Sequence, residues 1–503
     1  MNVPPATHFD ASAAPRSTRS TKEPACSPPW LGALRDLPRE HAFEPLEVEG
    51  RLPPDLTGTL YRNGPGRFSA GGEPYGHWFD GDGAVSAVRL EGGRALGAAR
   101  LVQTAGLLRE QRAGRRLFGG YDTPMKRPFR ELFLQDGKNA ANTAIMLWQD
   151  RVFATCEAGK PYEVSAEDLR TLAETDLGVV TGAFSAHHHR VPSRATTYNF
   201  GIAHPRGGTR VTTYALPDRG APRALGSFSL RGVRLIHDFA VTARHLVFVI
   251  APMRLPLLRI LFGGGPVSSA VWDEREGTEI VVVPIDEPAR VTRFRTDAFM
   301  MEHVVNAWDD GDDVVFDYTH YATSQALEGF VRGLVRGRIE APLGSSIRRA
   351  RVSPTAGTLR VETVLDRAVE LPRVAPPVDA ARHRFAYYVA SSAQAFFQGL
   401  LKQDLETGRV DAYSPGTHAY AGEGVFVPRA GGAAEDDGWL LTMVYDARED
   451  RSRLEILDAR AIGDGPVARC RFNHVVPMGF HGQWAPRAIS DGAAGASSPA
   501  PPR

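Results

Sequence analysis

Four histidines are the residues of this chain with the clearest potential for chemistry, because neutral imidazole is the commonest protein ligand of metal ions. The chain has 15 histidines, and four of them have apolar residues close by: His187, His237, His303 and His481. A partly buried imidazole needs a partner, and a metal ion on one nitrogen with a carboxylate on the other satisfies the ring. These residues therefore predict either one shared metal site or four histidines that are satisfied independently.

The spacing of these histidines requires a fold that brings distant segments together. They are separated by 50, 66 and 178 residues, which matches no compact metal-binding motif. A shared site would need separate parts of the chain to converge at one point. Spacing alone leaves both possibilities open.

Short β-rich runs bounded by turn residues dominate the sequence, and long helical periodicity is scarce. The clearest runs are Arg151–Thr155, His245–Ile250, Glu279–Val283, Val314–Tyr318, Arg384–Val389, Trp439–Tyr445 and Leu454–Leu457. Many short strands of this kind favour a β-propeller, in which the inner strands of separate blades converge on one axis. We therefore expect an all-β fold in which ligands far apart in sequence can meet at one metal.

The composition is typical of a soluble globular protein. The 503 residues are 43% hydrophobic and 23% charged, and 59 basic against 58 acidic residues leave a net charge of +1. This charge provides no strong positive field for nucleic acid. The three cysteines contain no CxxC pair, which argues against a disulfide framework or a zinc knuckle and favours a cytoplasmic protein. No apolar run approaches the roughly 20 residues of a membrane-spanning helix.

Three segments differ from the rest of the chain. Residues 1–29 and 485–503 are rich in Pro, Ala and Ser and are expected to be a disordered leader and tail around one domain, 30–484. Residues 251–262 are strongly apolar and carry two arginines. This segment is either packed on the barrel or a peripheral membrane contact with its arginines at headgroup level. We take a monomer as the default.

Several further sequence blocks occur before and between these four histidines. They are Gly58–Pro65, His77–Gly83, Asn142–Thr143, Glu157–Tyr162, Glu370–Arg373 and Gly422–Pro428. Together with the four histidine contexts, these blocks resemble the carotenoid cleavage oxygenase family from about Leu46 to Trp484. The resemblance implies a seven-bladed β-propeller with a dome of loops and short helices over an axial iron site.

The resemblance also implies roles for individual residues. By position, the Fe(II) ligands would be His187, His237, His303 and His481. Glu157, Glu370 and Glu423 match carboxylates that accept hydrogen bonds from three of the four rings, and His187 would have no such partner. Thr143 matches the residue whose side chain crowds one open coordination position. Three outer carboxylates would offset the charge of the cation, fix the ring tautomers and raise the basicity of the ligands.

The resemblance implies oxidative cleavage of a carbon–carbon double bond by dioxygen, which gives two carbonyl products. We expect a carotenoid or apocarotenoid substrate in an apolar tunnel. Cleavage of a stilbene or phenylpropanoid is the alternative, but Cys156 stands where stilbene-cleaving relatives carry a lysine that grips the phenol. Thr143 is similar to the residue of oxygen-cleaving members rather than of the retinyl-ester isomerases. A third possibility is a propeller that only binds lipid or protein, without enzymatic activity.

Overall fold

The structure is a computed structural model that describes residues 27–124, 137–157, 159–256, 269–391, 396–487 and 489. Its strands form seven antiparallel sheets of four or five strands, which are the blades of a β-propeller. The expected all-β, seven-bladed fold is confirmed. Most of the presumed leader and tail, 1–29 and 485–503, lies outside the described residues, and so does 257–262 of the apolar segment 251–262.

Each blade runs from the propeller axis outward. Blade 1 contains Gly482–Ala485, Gly58–Arg67, Asp82–Glu91, Arg94–Leu101 and His41–Pro45. Blade 2 contains Ala144–Trp148, Arg151–Thr155, Tyr162–Val164 and Thr171–Glu174. Blade 3 contains the two short inner strands Ala183–Phe184 and His189–Val191, then Thr196–Ala203, Thr209–Pro217 and Arg223–Leu230; blade 4 contains Phe239–Val241, His245–Ile250, Thr278–Pro284 and Thr292–Thr296. Blade 5 contains Met300–Asp310, Asp313–Tyr321, Ser345–Ser353 and Thr358–Leu365; blade 6 contains Val369–Arg373, Phe385–Ala390, Gly399–Asp404 and Val410–Tyr413; blade 7 contains Ala419–Pro428, Gly438–Asp446, Arg451–Asp458, Pro466–Arg471 and Glu47–Gly50. Six of the seven β-rich runs predicted from the sequence fall within these strands, and the seventh, Arg384–Val389, begins one residue before the strand Phe385–Ala390.

The two ends of the described chain interlock to close the ring. The early strand Glu47–Gly50 pairs with Pro466–Arg471 at the outer edge of blade 7. The last strand, Gly482–Ala485, pairs with Gly58–Arg67 at the inner edge of blade 1. Because each end completes a sheet built by the other, the inner strands form a closed circle around the axis.

Aromatic side chains fill the spaces between neighbouring blades. Phe239 of blade 4 lies 5.1 Å from Phe200 of blade 3, between ring centroids, and 5.4 Å from Phe248. All three rings are fully buried. Burying a phenylalanine side chain stabilises a protein by roughly 1.5–3 kcal/mol, so such contacts hold the blades, and the residues on their inner strands, in fixed positions.

The described residues contain few helices, and one of them, the 3-10 helix Trp78–Asp80, lies close to the histidines, since the ring of Trp78 is 4.6 Å from that of Phe480. The α-helices of the described residues are Ala105–Ala113 and Ser324–Val331, and the 3-10 helices are Pro29–Leu34, Trp78–Asp80, Pro192–Arg194, Pro205–Gly207, Glu274–Glu276, Leu334–Arg336, Pro376–Val378 and Ile462–Asp464. Two further pairs of short strands, Ser69–Ala70 with Glu73–Pro74 and Met253–Arg254 with Val271–Trp272, stand outside the blades. No helix among the described residues combines the length and the apolar character needed to cross a membrane.

Candidate metal centre

The four histidines singled out from the sequence lie together on the propeller axis. One ring nitrogen of each lies within 4.8 Å of the corresponding nitrogens of the others. Nε2 of His237 is 2.9 Å from Nε2 of His187 and 3.2 Å from Nε2 of His303. The rings of His187 and His481 are 4.7 Å apart between centroids. The four side chains are therefore one constellation and not four separate histidines.

The propeller brings this constellation together by giving each blade one residue of the site. In blade order the contributed residues are His481, Glu157, His187, His237, His303, Glu370 and Glu423, each within or directly beside an inner strand or the strand next to it. The large separations in sequence follow from this arrangement. Successive residues of the site lie on successive blades, so the chain forms the strands of about one blade between one residue and the next.

β-Bulges aim several of these side chains at the axis. In blade 5 the pairing slips between Met301 and Val304, so that one extra residue is accommodated there. A bulge of this kind leaves a backbone group unpaired and re-aims the side chains. Thr319 satisfies that group, since its Oγ1 accepts the N–H of His303 at 2.8 Å. A similar slip in blade 7 surrounds Glu423.

Three carboxylates lie behind three of the rings. Oε2 of Glu370 is 2.5 Å from Nδ1 of His303, and Oε1 of Glu423 is 2.9 Å from Nδ1 of His481. Oε1 of Glu157 lies 2.8 Å from Nδ1 of His237. A carboxylate at Nδ1 holds the proton on that nitrogen and leaves the lone pair of Nε2 free to face the axis.

The backbone and two arginines fix these carboxylates. Leu371 adopts the left-handed conformation, with φ of 49°, and its N–H donates to Oε2 of Glu370 at 2.7 Å. Nε of Arg373 lies 2.8 Å from Oε1 of Glu423, and Nη1 of Arg62 lies 3.3 Å from Oε2. Burial alone would raise the pKa of Glu423, but Arg373, His481 and Arg62 hold that pKa well below its usual range.

The structure separates His187 from the two histidines that follow it. Nε2 of His189 is hydrogen-bonded to Oδ1 of Asp238 at 2.8 Å, and His189 is not part of the group of four. Nδ1 of His187 lies 3.9 Å from Oδ2 of Asp238, which is beyond hydrogen-bonding distance. Among the described residues, His187 is therefore the member of the four whose Nδ1 has no carboxylate oxygen within hydrogen-bonding distance.

Thr143 lies beside Glu157 and His481. Its hydroxyl is 3.1 Å from Oδ1 of Asn142 and 3.3 Å from Oε2 of Glu157 and can donate its one proton to either, while its carbonyl accepts the N–H of His481 at 3.2 Å. The side chain is buried. Thr143 therefore links two residues of the site, and its predicted effect on an open coordination position stays a prediction.

Sequence reasoning missed two carboxylates of this region. Asp238 accepts the N–H of Val304 at 2.7 Å and so ties blade 4 to the bulge of blade 5. Oε1 of Glu302 lies 3.6 Å from Nε2 of His237. The sequence did show an acidic residue directly beside a candidate ligand in both cases, Asp238 after His237 and Glu302 before His303. Which way the Glu302 side chain points depends on the bulge of blade 5.

The donor set fits a divalent transition-metal ion. Burial opposes a charge on His237, yet Glu302 and Glu157 raise its pKa to about 10. The surrounding carboxylates thus favour positive charge at this point, and a divalent cation supplies it while leaving the imidazoles neutral. Imidazole nitrogen is a preferred ligand of iron, copper, nickel and zinc, and four such donors leave two positions of an octahedral ion open.

Comparison with known proteins gives consistent similarities over the whole propeller. The profile of the family described as retinal pigment epithelial membrane protein matches residues 34–486. The apocarotenoid-15,15'-oxygenase of Synechocystis is 33% identical over 489 residues, which cover 93% of this chain and 98% of that protein. The isoeugenol monooxygenase of Pseudomonas nitroreducens is 31% identical, with 92% and 98% covered.

Solved structures agree with these sequence similarities. Cobalt-substituted Synechocystis apocarotenoid oxygenase superposes with a TM-score of 0.83 and 31% identity, covering 91% of this chain and 98% of that one. The fold, the order of the sequence blocks and the match of a family profile to almost the whole propeller are thus in agreement. The chain belongs to the carotenoid cleavage oxygenase family, which includes the retinal pigment epithelial membrane protein.

Proposed function

We propose that the chain is an Fe(II)-dependent dioxygenase that cleaves a carbon–carbon double bond of a carotenoid or apocarotenoid into two carbonyl products. The observation that carries this proposal is the convergence of four imidazoles, three of them with a carboxylate at Nδ1. Family membership, and relatives that are named as oxygenases, support the same chemistry.

Fe(II) would be held by the four histidines, His187, His237, His303 and His481, and would supply the position at which dioxygen is activated. Glu157, Glu370 and Glu423 keep three rings in the tautomer that presents Nε2. Thr143 would restrict one of the two remaining positions. The contribution of the protein is then mainly orientation, because a substrate double bond must be held beside the reacting group.

Aromatic residues of the dome support an apolar substrate. Phe480 precedes His481, and its ring lies 4.6 Å from that of Trp78 and 5.4 Å from that of Phe79, between centroids. Their position next to His481 supports a site with apolar surroundings, which would suit a polyene. Apolar polyenes are the substrates named for several relatives, and we propose one for this chain.

The remaining properties follow from the same proposal. An apolar substrate dissolves in membranes, so we propose that the segment 251–262 contacts one leaflet peripherally while the rest of a cytoplasmic monomer stays in water. Loss of liposome binding when Arg254 is changed to glutamate would support this contact, and unchanged binding would contradict it.

The test of the activity is aerobic incubation of the iron-loaded protein with a panel of apocarotenals. We expect loss of the visible polyene absorbance, with two carbonyl products identified by mass spectrometry. The variants His237→Ala and His303→Ala should give neither. Iron-loaded protein that leaves apocarotenals, carotenols and carotenes unchanged would refute the proposed substrate class.

Cleavage of a phenylpropanoid or stilbene is a second candidate, favoured by the similarity to isoeugenol monooxygenases. Cys156 in place of a phenol-binding lysine argues against it. Turnover of isoeugenol or 4-hydroxystilbene together with inactivity on every polyene would establish this candidate in place of the first.

A further inference from the structure

Two histidines outside the group of four, His41 and His474, face each other where early and late parts of the chain meet. Nε2 of His41 lies 3.3 Å from Nε2 of His474, and the rings are nearly perpendicular, with centroids 4.9 Å apart. His41 begins the outer strand of blade 1, and His474 follows the strand Pro466–Arg471 of blade 7. The His41 side chain is 6% exposed, so its ring must find its partners inside the protein.

The other nitrogen of each ring already donates a hydrogen bond. Nδ1 of His41 lies 2.9 Å from the carbonyl oxygen of Ala42, which can only accept, so this nitrogen carries a proton. Nδ1 of His474 lies 2.8 Å from Oδ1 of Asn473. Arg39 fixes the orientation of that amide, because its Nη2 lies 3.1 Å from the same oxygen and can only donate. A neutral imidazole has one N–H, so the Nε2 atoms are left with two lone pairs that face each other.

Two facing lone pairs repel unless a proton or a metal ion lies between them. A proton would make one ring cationic. Burial lowers the pKa of His41, and it lowers the pKa of His474 to about 4. The nearby charges of Arg39 and Arg100 act in the same direction, and that of Glu44 opposes them. Both rings are therefore neutral at pH 7, and neutral imidazole is the form that binds metal ions.

The separation of the two nitrogens is that of two ligands on one tetrahedral ion. Zinc–nitrogen bonds of about 2.0–2.1 Å at the tetrahedral angle place two nitrogens about 3.3–3.4 Å apart. The Nε2 atoms of His41 and His474 lie 3.3 Å apart. In the described part of the chain, three or more potential ligands come together only at the propeller axis, so water would complete the coordination here. The two metal–nitrogen bonds must also outweigh the charges of Arg39 and Arg100, which makes the expected affinity moderate.

We propose that His41 and His474 bind a zinc-like divalent metal ion between blades 1 and 7. Zinc, nickel and copper bind imidazole more tightly than Fe(II) does, so this ion differs from the one proposed for the axis. The backbone holds each histidine on its own blade: His41 pairs with Ala99, and the carbonyl of His474 accepts the N–H of Ser452 at 3.1 Å. An ion bound by both rings would therefore join the first strand of blade 1 to the end of blade 7 and stabilise the closure of the ring.

Zinc chloride is the probe. Isothermal titration calorimetry without oxygen measures its binding to the iron-loaded protein as wild type, His474→Gln and His41→Gln. Iron content is measured before and after the titration, so that exchange at the propeller axis is recognised. His245→Gln is the matched control, because His245 is also partly buried and its Nδ1 is hydrogen-bonded to Asp309 at 2.9 Å.

We expect the wild type and His245→Gln to bind one zinc ion per chain without loss of iron. His474→Gln and His41→Gln should bind zinc about tenfold more weakly or worse, because one of two protein ligands is lost. Saturating zinc should raise the melting temperature of the wild type and leave those of the two variants unchanged, since a ligand that binds only the folded protein stabilises it. Equal zinc affinity in the wild type and His474→Gln would overturn the inference, and so would zinc uptake that is matched by loss of iron.

A shared proton is the other way to separate the two lone pairs. A wild type that binds no added zinc overturns the inference. Nitrogen-15 NMR at pH 7 would then show both nitrogens of one of these two rings protonated. All of these outcomes leave the proposed function untouched, because no variant changes a residue at the propeller axis.

Discussion

Replacing Glu370 by glutamine perturbs the shortest of the three carboxylate–histidine contacts. The carboxylate lies 2.5 Å from Nδ1 of His303, and it accepts the hydroxyl of Tyr321 at 2.7 Å and the N–H of Leu371 at 2.7 Å. All three partners are donors. Glutamine keeps one acceptor oxygen and replaces the other by an amide that is itself a donor. The hydroxyl of Tyr321 can turn to accept from that amide. The main loss is therefore the charge behind His303, and the uncharged amide no longer favours a cation nearby.

The size of the effect follows from the burial of the pair. The Glu370 side chain is 5% exposed, so water cannot compensate for the lost charge. A hydrogen bond to a charged group contributes about 1.5–3 kcal/mol, which is roughly 10–150-fold in an equilibrium constant. We expect Glu370→Gln to weaken Fe(II) binding by this factor. Glu157→Gln should also weaken Fe(II) binding, because Oε1 of Glu157, the atom at Nδ1 of His237, is buried although the side chain as a whole is 35% exposed.

The assay is an anaerobic titration of Fe(II) against a competing chelator. Glu455→Gln is the control, because Glu455 is equally enclosed and accepts the hydroxyl of Tyr413 at 2.5 Å and Nε of Arg453 at 2.8 Å, but lies on the third strand of blade 7. That variant should unfold more easily and bind iron normally. Undiminished iron binding by Glu370→Gln, or an equal loss in Glu455→Gln, would refute the reasoning.

Three other changes test separate parts of the site. His187→Ala should lose the metal and His188→Ala should retain it, as measured by metal analysis; the reverse pattern would assign the ligand to His188. Asp238→Asn should lower the free energy of unfolding by about 3 kcal/mol and Thr319→Val by about 1–3 kcal/mol, because each removes an acceptor of a backbone N–H near His303. Urea denaturation measures these changes, and wild-type stability of both variants would contradict the assignment. Removal of the metal by a chelator should lower the melting temperature in calorimetry, since a ligand at 1,000 times its Kd stabilises by about 4 kcal/mol; an unchanged melting temperature would argue against a bound metal.

The strands could be predicted from the sequence because their signals are local, whereas the grouping of the four histidines came from the resemblance. Runs such as His245–Ile250 consist of β-branched and apolar residues between turns, and the structure gives this strand the same bounds. The four histidines stood out through their neighbouring residues. The chain closure could not be predicted, because Glu47–Gly50 completes blade 7 through pairing with residues more than 400 positions away.

The positions of Glu302 and Asp238 depend on strand register, which no single segment contains. A bulge arises from how two strands pair, so the sequence around His303 does not show that Glu302 lies close to His237. The contacts of Arg373 and Arg62 with the carboxylate of Glu423 likewise connect residues of three separate blades. Charge balance at the site is therefore a property of the assembled propeller.

Anomalous diffraction at the iron absorption edge, from crystals grown with Fe(II) in the absence of oxygen, tests the central claim most directly. The account predicts one strong peak on the propeller axis, within bonding distance of Nε2 of His187, His237, His303 and His481. Iron-loaded crystals that show no peak among these four nitrogens, or a peak elsewhere in the protein, would contradict it.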